Sequence, residues 1–420
     1  MYKNNNLDGS PLLPPDKERR TPNSAKHREN ESFSIFSSNQ IGESNRRRVI
    51  QMLFDLGPTS RAELARLTDT KRTTIGGIVQ PLIDSGLLVE IEPVEKRGVG
   101  KPARPLWFSS NASCVCSVVL MPEKIEVALI SITGEVSNYA AETVAPDERS
   151  KDDYSERLIK MIGKAFSLAE SPVLGIGIAV GGMVDTDAGT LLAVNLAPSL
   201  AGYRIKDEMT AHFGVQVVVD HHPRAILLGE RWFGEGRGLN KFAIIYADYV
   251  LGCAMYLEGV PFRGPQGAGG ELGHTIVDID GRRCTCGRRG CWETIATLPW
   301  LQGRAHELGI PDGQSLNVER LVAESETTPN MKALLQEYAH NLAIGISNLQ
   351  TLMMLDNYII YGEARRGRKT IEDALLSELE GLSGPGSGSS IKVMTGRDEQ
   401  QITLRGAAGL VISQQLEINY

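Results

Sequence analysis

The run Gly270–Glu293, GELGHTIVDIDGRRCTCGRRGCWE, carries the most specific chemistry in the chain. His274 stands ten residues before Cys284, and Cys286 and Cys291 complete a C-x-C-x4-C pattern. One imidazole and three thiolates satisfy a tetrahedral zinc ion and leave it no open position, so the metal expected here is structural rather than catalytic. Gly287 and Gly290 permit the tight turns that let the sulfurs converge. Arg282, Arg283, Arg288 and Arg289 offset the excess thiolate charge. Three free thiols that merely fall close together account poorly for this spacing. Six cysteines in 420 residues, three of them within eight positions, is not a disulfide framework and fits a cytoplasmic protein.

On either side of this knuckle the chain alternates strands and helices. CVCSVVLM (114–121) and KIEVALIS (124–131) predict strands, Tyr154–Ala169 a helix, and VLGIGIAVGGMV (173–184) a buried strand ending in a glycine turn. VQVVVD (215–220) predicts a strand followed by a helix over Ala225–Phe233, and KFAIIYAD (241–248) opens a second set. GLSGPGSGSS (381–390) predicts a loop and Gly406–Gln415 a final helix. Such alternation implies an α/β fold over residues 111–420, with room for two α/β halves.

Residues 1–110 differ in texture. The first 40 residues lack any helical or alternating period and predict a flexible arm. From Ser44, Val49, Ile50, Leu53, Phe54 and Leu56 follow helical spacing until Gly57-Pro58 stops the helix. Ser60 with Glu63 predicts a capping box for a short helix Arg61–Leu67, whose Ala62, Leu64, Ala65 and Leu67 face inward. A third helix runs from Lys71 to Ser85, then a strand Leu87–Ile91, a hairpin tip EKRGVGKPARP and a returning strand LWFSS. Three helices and a hairpin predict a winged helix-turn-helix over residues 41–110. In it, Lys71, Arg72, Thr73, Thr74 and Gln80 suit a helix laid in the major groove, where such side chains reach base edges and phosphates. Arg46, Arg47 and Arg48 at the start of the first helix would clamp phosphates. Arg97, Lys101 and Arg104, set among glycines and prolines, form a narrow cationic strip suited to the minor groove. A small helical bundle with a solvated basic face is the bland alternative to this DNA-binding reading.

Composition sets the outer bounds. Apolar residues make up 41% of the chain, enough for a sizeable core. The longest apolar run, Val173–Val184, is too short and glycine-rich to span a bilayer, and the polar Met1–Asn30 is not a secretory signal. Net charge is −7, yet residues 1–110 hold 17 Lys and Arg against 13 Asp and Glu, and the remainder 27 against 38. A basic part followed by an acidic part is a modest pointer to a polyanion partner.

With GIAVGGMVD (177–185), GGELGH (269–274), CTCGRRGCWE (284–293) and the N-terminal winged helix in view, the sequence closely resembles the ROK family of repressors and sugar kinases over residues 44–420. The resemblance implies an actin-like, two-lobed sugar-kinase fold with a cleft between the lobes, and zinc on His274, Cys284, Cys286 and Cys291. It further implies that Glu271, His274 and Glu293 hold a sugar, with Gly182 and Asn195 at two more contacting positions. Paired carboxylates chelate vicinal hydroxyls as acceptors, and His274 can bind zinc through one ring nitrogen and offer a sugar the other.

Three departures from the family's kinases follow. An Asn-Asp pair whose aspartate is the general base is replaced by His221 and His222 in VVVDHHPRAILLGE, with Asp220 two positions early. The first phosphate loop is replaced by LMPEKIE, where Met121-Pro122-Glu123 offers no glycine nest. The second reads YADYVLGC, keeping only Gly252 and placing Asp248 and two tyrosines at the phosphate position. The expectation is therefore a non-enzymatic regulator, probing DNA as a homodimer or homotetramer under control of a sugar or sugar derivative. A sugar kinase with an appended DNA-binding domain is the alternative. The two imidazoles would suit an acidic sugar or sugar phosphate, or mark simple decay of the catalytic pair. The stretch Leu106–Ala112 is the expected linker between the modules.

Overall fold

The computed structural model describes residues 38–92, 104–109, 113–267, 269–382 and 391–416. The predicted arm 1–40 therefore lies outside the described residues up to position 37, and so do Arg97, Lys101 and positions 383–390 of the predicted loop. Within residues 44–420, which form one compact unit, the chain falls into a small N-terminal module and two sheet-based lobes.

The N-terminal module begins with α1 (Ser38–Leu56), strand β1 (Thr59–Ser60), α2 (Arg61–Leu67) and α3 (Arg72–Asp84). It closes with β2 (Leu88–Glu90) and β3 (Pro105–Phe108), giving a three-stranded antiparallel sheet in the order β1-β3-β2. Val49, Ile50, Leu53, Phe54, Leu64, Ala65, Ile75, Val79 and Leu82 are buried together, as the helical spacing requires. Leu56 and Leu67, expected inside, are 54% and 43% exposed because each ends its helix on the outer side. Since α1 starts at Ser38, Arg46, Arg47 and Arg48 sit in its middle turns, not at its start. Ser60 Oγ accepts from the Glu63 amide at 3.2 Å, but the Glu63 carboxylate turns to Arg66 and leaves the box half made. Leu106–Phe108 belong to β3, so the expected linker is partly a strand; positions 110–112 lie outside the described residues.

The first lobe contains β4 (Cys114–Met121), β5 (Lys124–Ser131), β6 (Val136–Thr143), α4 (Lys151–Ser167), β7 (Val173–Val180), β8 (Met183–Asp185), β9 (Thr190–Ala193), α5 (Ile205–Phe213), β10 (Gln216–His221) and α6 (His222–Phe233). Its five-stranded sheet runs β10-β7-β4-β5-β6, with β10, β7 and β4 parallel and β4-β5-β6 an antiparallel meander. The central strand β4 is buried on both faces, which explains why CVCSVVLM is a continuous apolar run without alternation.

The second lobe repeats that topology. It comprises β11 (Lys241–Ala247), β12 (Leu251–Leu257), β13 (Val260–Pro261), α7 (Leu298–Glu307), α8 (Val318–Ser325), α9 (Pro329–Met353), β14 (Asn357–Tyr361), α10 (Arg368–Leu382) and β15 (Lys392–Thr395). The order β13-β12-β11-β14-β15 again joins an antiparallel meander to two strands parallel with its first. The last helix, α11 (Glu399–Gln415), starts seven residues earlier than expected and returns to the first lobe, packing on α6 and on β7 and β4. Gly229 and Gly406 let those two helices touch: a Cβ on Gly406 would lie 1.7 Å from the Ala225 carbonyl oxygen.

Candidate functional site

Parallel strands in both lobes end toward one cavity of about 710 Å³. Crevices beyond the carboxyl ends of parallel strands are where open α/β sheets bind ligands. Gly182 follows β7, Asn195 follows β9, His221 ends β10 and His222 opens α6; from the other side come Glu271 and His274 after β13, and Glu293 after the knuckle. All seven residues singled out for ligand contact line this cleft. Gly182 has a packing reason as well, because a Cβ there would sit 2.6 Å from the Ala193 carbonyl oxygen.

His274, Cys284, Cys286 and Cys291 converge so that their ligand atoms all lie within 4.8 Å of one another. Cys284 Sγ is 3.5 Å from His274 Nδ1, and Cys286 Sγ is 3.6 Å from Cys291 Sγ. Bonds of about 2.3 Å in a tetrahedron separate two sulfurs by roughly 3.8 Å, so this donor set fits zinc. Gly287 and Gly290 have φ of +90° and +68°, the left-handed turns expected of them, and a Cβ at Gly290 would strike the Asp278 carbonyl oxygen. Burial raises the Cys286 thiol, but hydrogen bonds from the Arg288 backbone and side chain outweigh it and bring the group down to about 6, favouring thiolate. With Nδ1 turned to the sulfurs, Nε2 is the His274 atom left for a ligand. Glu293 is held against the knuckle: Oε2 accepts from the Leu251 amide at 3.2 Å and Oε1 from Thr285 Oγ1 at 3.4 Å.

Asp220 sits in a buried ion-pair cluster. Its carboxylate is fully buried, bound by Arg224 Nε at 2.6 Å and Arg263 Nη2 at 2.5 Å, and accepts the His221 amide at 2.7 Å. Desolvation pulls His221 down to about 3 and His222 to about 4, so both imidazoles are neutral at physiological pH. His222 packs edge-on against Tyr246 with ring centroids 4.9 Å apart.

The segments around Pro122 and Asp248, expected to depart from the phosphate loops, make contacts of their own. Pro122 lacks an N–H, and its carbonyl accepts from Tyr154 Oη at 2.7 Å. Asp248 Oδ1 takes the Tyr249 amide at 2.8 Å, and burial raises the Asp248 carboxyl above its ordinary value. Gly252 is required by Pro223, whose ring a Cβ would approach to 2.6 Å, so its survival needs no phosphate. The structure adds Glu363 and Arg366 to the cleft wall. The signal that could have found them is YGEARRGR, a glycine followed by charges directly after a strand.

On the N-terminal module, Lys71 at the N-cap of α3 and Arg72, Thr73, Thr74 and Gln80 within it are all exposed, and Gln80 Nε2 donates to Asp84 at 2.8 Å. Arg104 pairs with Glu92 at 3.3 Å at the base of the hairpin. Residues to which the sequence assigned no docking role hold this module on the first lobe. Phe54 stacks on Trp232 with centroids 4.9 Å apart, Arg231 Nη1 lies 2.6 Å from Asp55 Oδ1, and Arg237 Nε donates to the Phe54 carbonyl at 3.1 Å.

Fold, duplicated sheets and cleft define a two-lobed sugar-kinase-like protein carrying an extra N-terminal module. The ROK family model matches residues 120–414, and the chain belongs to the ROK family. The xylose repressor of Caldicellulosiruptor bescii is 25% identical over 394 residues, covering 90% of this chain and 97% of that protein. The crystal structure of a ROK family transcriptional regulator, a homolog of E. coli Mlc, superposes with a TM-score of 0.75 at 24% identity, over 90% of this chain and 99% of the other. A ROK glucokinase from Streptomyces griseus, in complex with glucose and AMPPNP, gives 0.61 at 22% identity over 71% of this chain and 98% of its own. These two likenesses establish the shared fold.

Proposed function

We propose that the chain is a DNA-binding transcription regulator, a repressor of carbohydrate-related genes, controlled by a sugar or sugar derivative bound in the cleft. The observation that carries this reading is the near end-to-end match to a relative named a xylose repressor, N-terminal module included. Residues 41–110 act as a winged helix-turn-helix: α3 enters the major groove with Lys71, Arg72, Thr73, Thr74 and Gln80, while Arg46, Arg47 and Arg48 meet phosphates from the middle of α1. Arg104, with Arg97 and Lys101, reaches the minor groove. Paired winged helices read a near two-fold operator, so the working form is a homodimer or homotetramer in the cytoplasm.

In the cleft, Glu271 and Glu293 accept hydrogen bonds from vicinal sugar hydroxyls, His274 Nε2 adds a third polar contact, and Gly182, Asn195, His221 and His222 shape the opposite wall. Zinc on His274, Cys284, Cys286 and Cys291 would hold Glu293 and His274 in register and take no part in chemistry. The protein phosphorylates nothing: Asp220 is engaged by two arginines, Pro122 has no N–H, and the Tyr249 amide is taken by Asp248. A gel shift with an operator duplex selected from a random pool, with and without D-xylose and related sugars, tests the reading. Absence of specific DNA binding by the full chain would defeat it. ATP-dependent sugar phosphorylation by the pure protein would instead favour a kinase with an appended DNA-binding domain.

A further inference from the structure

The cleft walls are unevenly charged. Glu123, Asp248, Glu271, Glu293 and Glu363 line them, and Arg366 is the single Lys or Arg among the described lining residues. Arg366 is already committed, with Nε 3.0 Å from Glu363 and Nη1 3.9 Å from Glu319. A zinc ion held by three thiolates and an imidazole would add one more net negative charge. Oxyanions need amide donors or cations, yet Pro122 has no N–H and Asp248 already takes the Tyr249 amide. Resting on the sugar-sensing reading, we propose that the cleft admits only sugars without phosphate or carboxylate, and that Glu123 and Asp248 turn anionic sugars away. Walls of one sign concentrate or exclude charged ligands through the summed field, and a neutral polyol escapes that penalty.

Calorimetric titration of the zinc-loaded full chain tests this with D-xylose, D-glucose and N-acetylglucosamine beside glucose 6-phosphate, N-acetylglucosamine 6-phosphate and glucuronate. At least one neutral sugar binds, and its anionic derivative binds roughly 100-fold or more weakly. In Glu123→Gln and Asp248→Asn that gap narrows by about tenfold. An anionic derivative as tight as its parent, or a gap unchanged in both variants, overturns the proposal. Silence from all six sugars, with operator binding intact, sinks the sugar-sensing reading itself and the selectivity with it.

A separate observation bears on how cleft and DNA module communicate. Helix α6 is about 18 Å long at 1.5 Å per residue, and every residue from His222 to Trp232 is buried, so it moves as a rod. Its first residues, His222 and Pro223, line the cleft. Its last turn is a three-way junction. Arg231 Nη1 meets Asp55 of α1 at 2.6 Å, while its guanidinium sits 5.4 Å above the ring of Tyr256 on β12 in the second lobe. Glu230 beside it accepts from Tyr361 Oη on β14 and from the Glu235 amide. We infer that Arg231 is the residue through which movement between the lobes reaches the DNA module. A ligand that shifts the second lobe changes how Tyr256 holds the guanidinium, and thereby how firmly the guanidinium holds Asp55; the linker need carry nothing.

The test compares Arg231→Met, Arg231→Lys and Asp55→Asn with wild type, using the tightest neutral sugar of the panel above. Hydrogen exchange of the amides at Leu53–Gly57 reads the coupling without DNA, and the operator gel shift reads it with DNA. Sugar changes both in wild type, changes neither in Arg231→Met or Asp55→Asn, and regains part of its effect in Arg231→Lys, while calorimetry still detects sugar in each. Wild-type responses in Asp55→Asn, which is partly exposed and least able to disturb folding, overturn the inference. Altered exchange in wild type with no operator binding refutes the DNA reading and leaves the coupling standing.

Discussion

Asp220→Asn is the perturbation whose cost the structure sets most directly. The carboxylate is fully buried and serves three donors: Arg224 Nε, Arg263 Nη2 and the His221 amide. Asparagine keeps the volume but brings one acceptor oxygen for three donors, and it aims an NH2 at a guanidinium. Arg224 is itself buried, so part of its charge is left uncompensated. Breaking one partner from a buried ion pair costs about 3–5 kcal/mol, and the surviving oxygen puts this case at the low end, about 3 kcal/mol. At about 2–4 °C per kcal/mol for a unit of lobe size, the melting midpoint should fall by roughly 6–12 °C. Arg224 Nη1 also donates to the Gly269 carbonyl at 3.0 Å, two residues before Glu271, so amide exchange at Gly270 and Glu271 should quicken. Circular-dichroism melts at neutral pH check the first outcome and exchange mass spectrometry the second. A midpoint within about 2 °C of wild type would mean the pair is solvated in solution and the reasoning from burial is wrong.

Chelating zinc, or Cys286→Ser, should lower both the melting midpoint and the sugar-induced thermal shift, because metal binding here is folding free energy; metal analysis finding no zinc in the purified protein would contradict it. Buried His222, with its pKa lowered to about 4 from an ordinary 6.5, binds its proton late when folded, so stability present above pH 6.5 is lost as pH falls toward 4. Between pH 6.5 and 5 the His222 share of that loss is about 1.6 kcal/mol, and His222→Asn should remove it in urea titrations at the two pH values. Operator affinity should fall steeply with salt, and Arg72→Ala should alter the selected sequence while Arg104→Ala weakens binding mainly at A·T-rich flanks, read by gel shift across a salt series. Glu271→Ala should abolish calorimetric sugar binding and leave basal operator binding within about twofold, since it lines the cleft between the lobes.

The sequence made some of this legible because the deciding signals were local. A tetrahedral donor set needs four side chains and two glycine turns, and all of these fall within His274–Cys291. Ser60 announced the start of α2 through its own side chain, and α3 differed from its expected span by one residue at each end. What escaped depended on distant pairing. The order β10-β7-β4 joins strands scattered over a hundred residues, and the repeat of that order in the second lobe leaves no periodic trace in the residues themselves. His221 and His222 line the cleft, and what sets their protonation is burial, which residue type alone does not reveal. Trp232, Arg231 and Asp55 look in sequence like ordinary helix residues. Only packing reveals that they join three parts of the chain.

The return of α11 to the first lobe has a consequence for how the protein is made. One face of the sheet formed by β4, β7 and β10 is covered by a helix that begins at Glu399, and Phe54, Phe108 and Trp232 share a core with its Leu404, Ala408 and Val411. At about 5–20 residues per second the ribosome takes roughly 15 to 55 s to travel from the end of β4 to the start of α11. Throughout that interval the N-terminal half waits with an apolar face uncovered. The second lobe, whose strands and helices lie between Lys241 and Thr395, has all its own parts before then. Synthesis thus runs against the usual order: the part made later can close first, and the N-terminal module is sealed only when the final turns of the chain arrive.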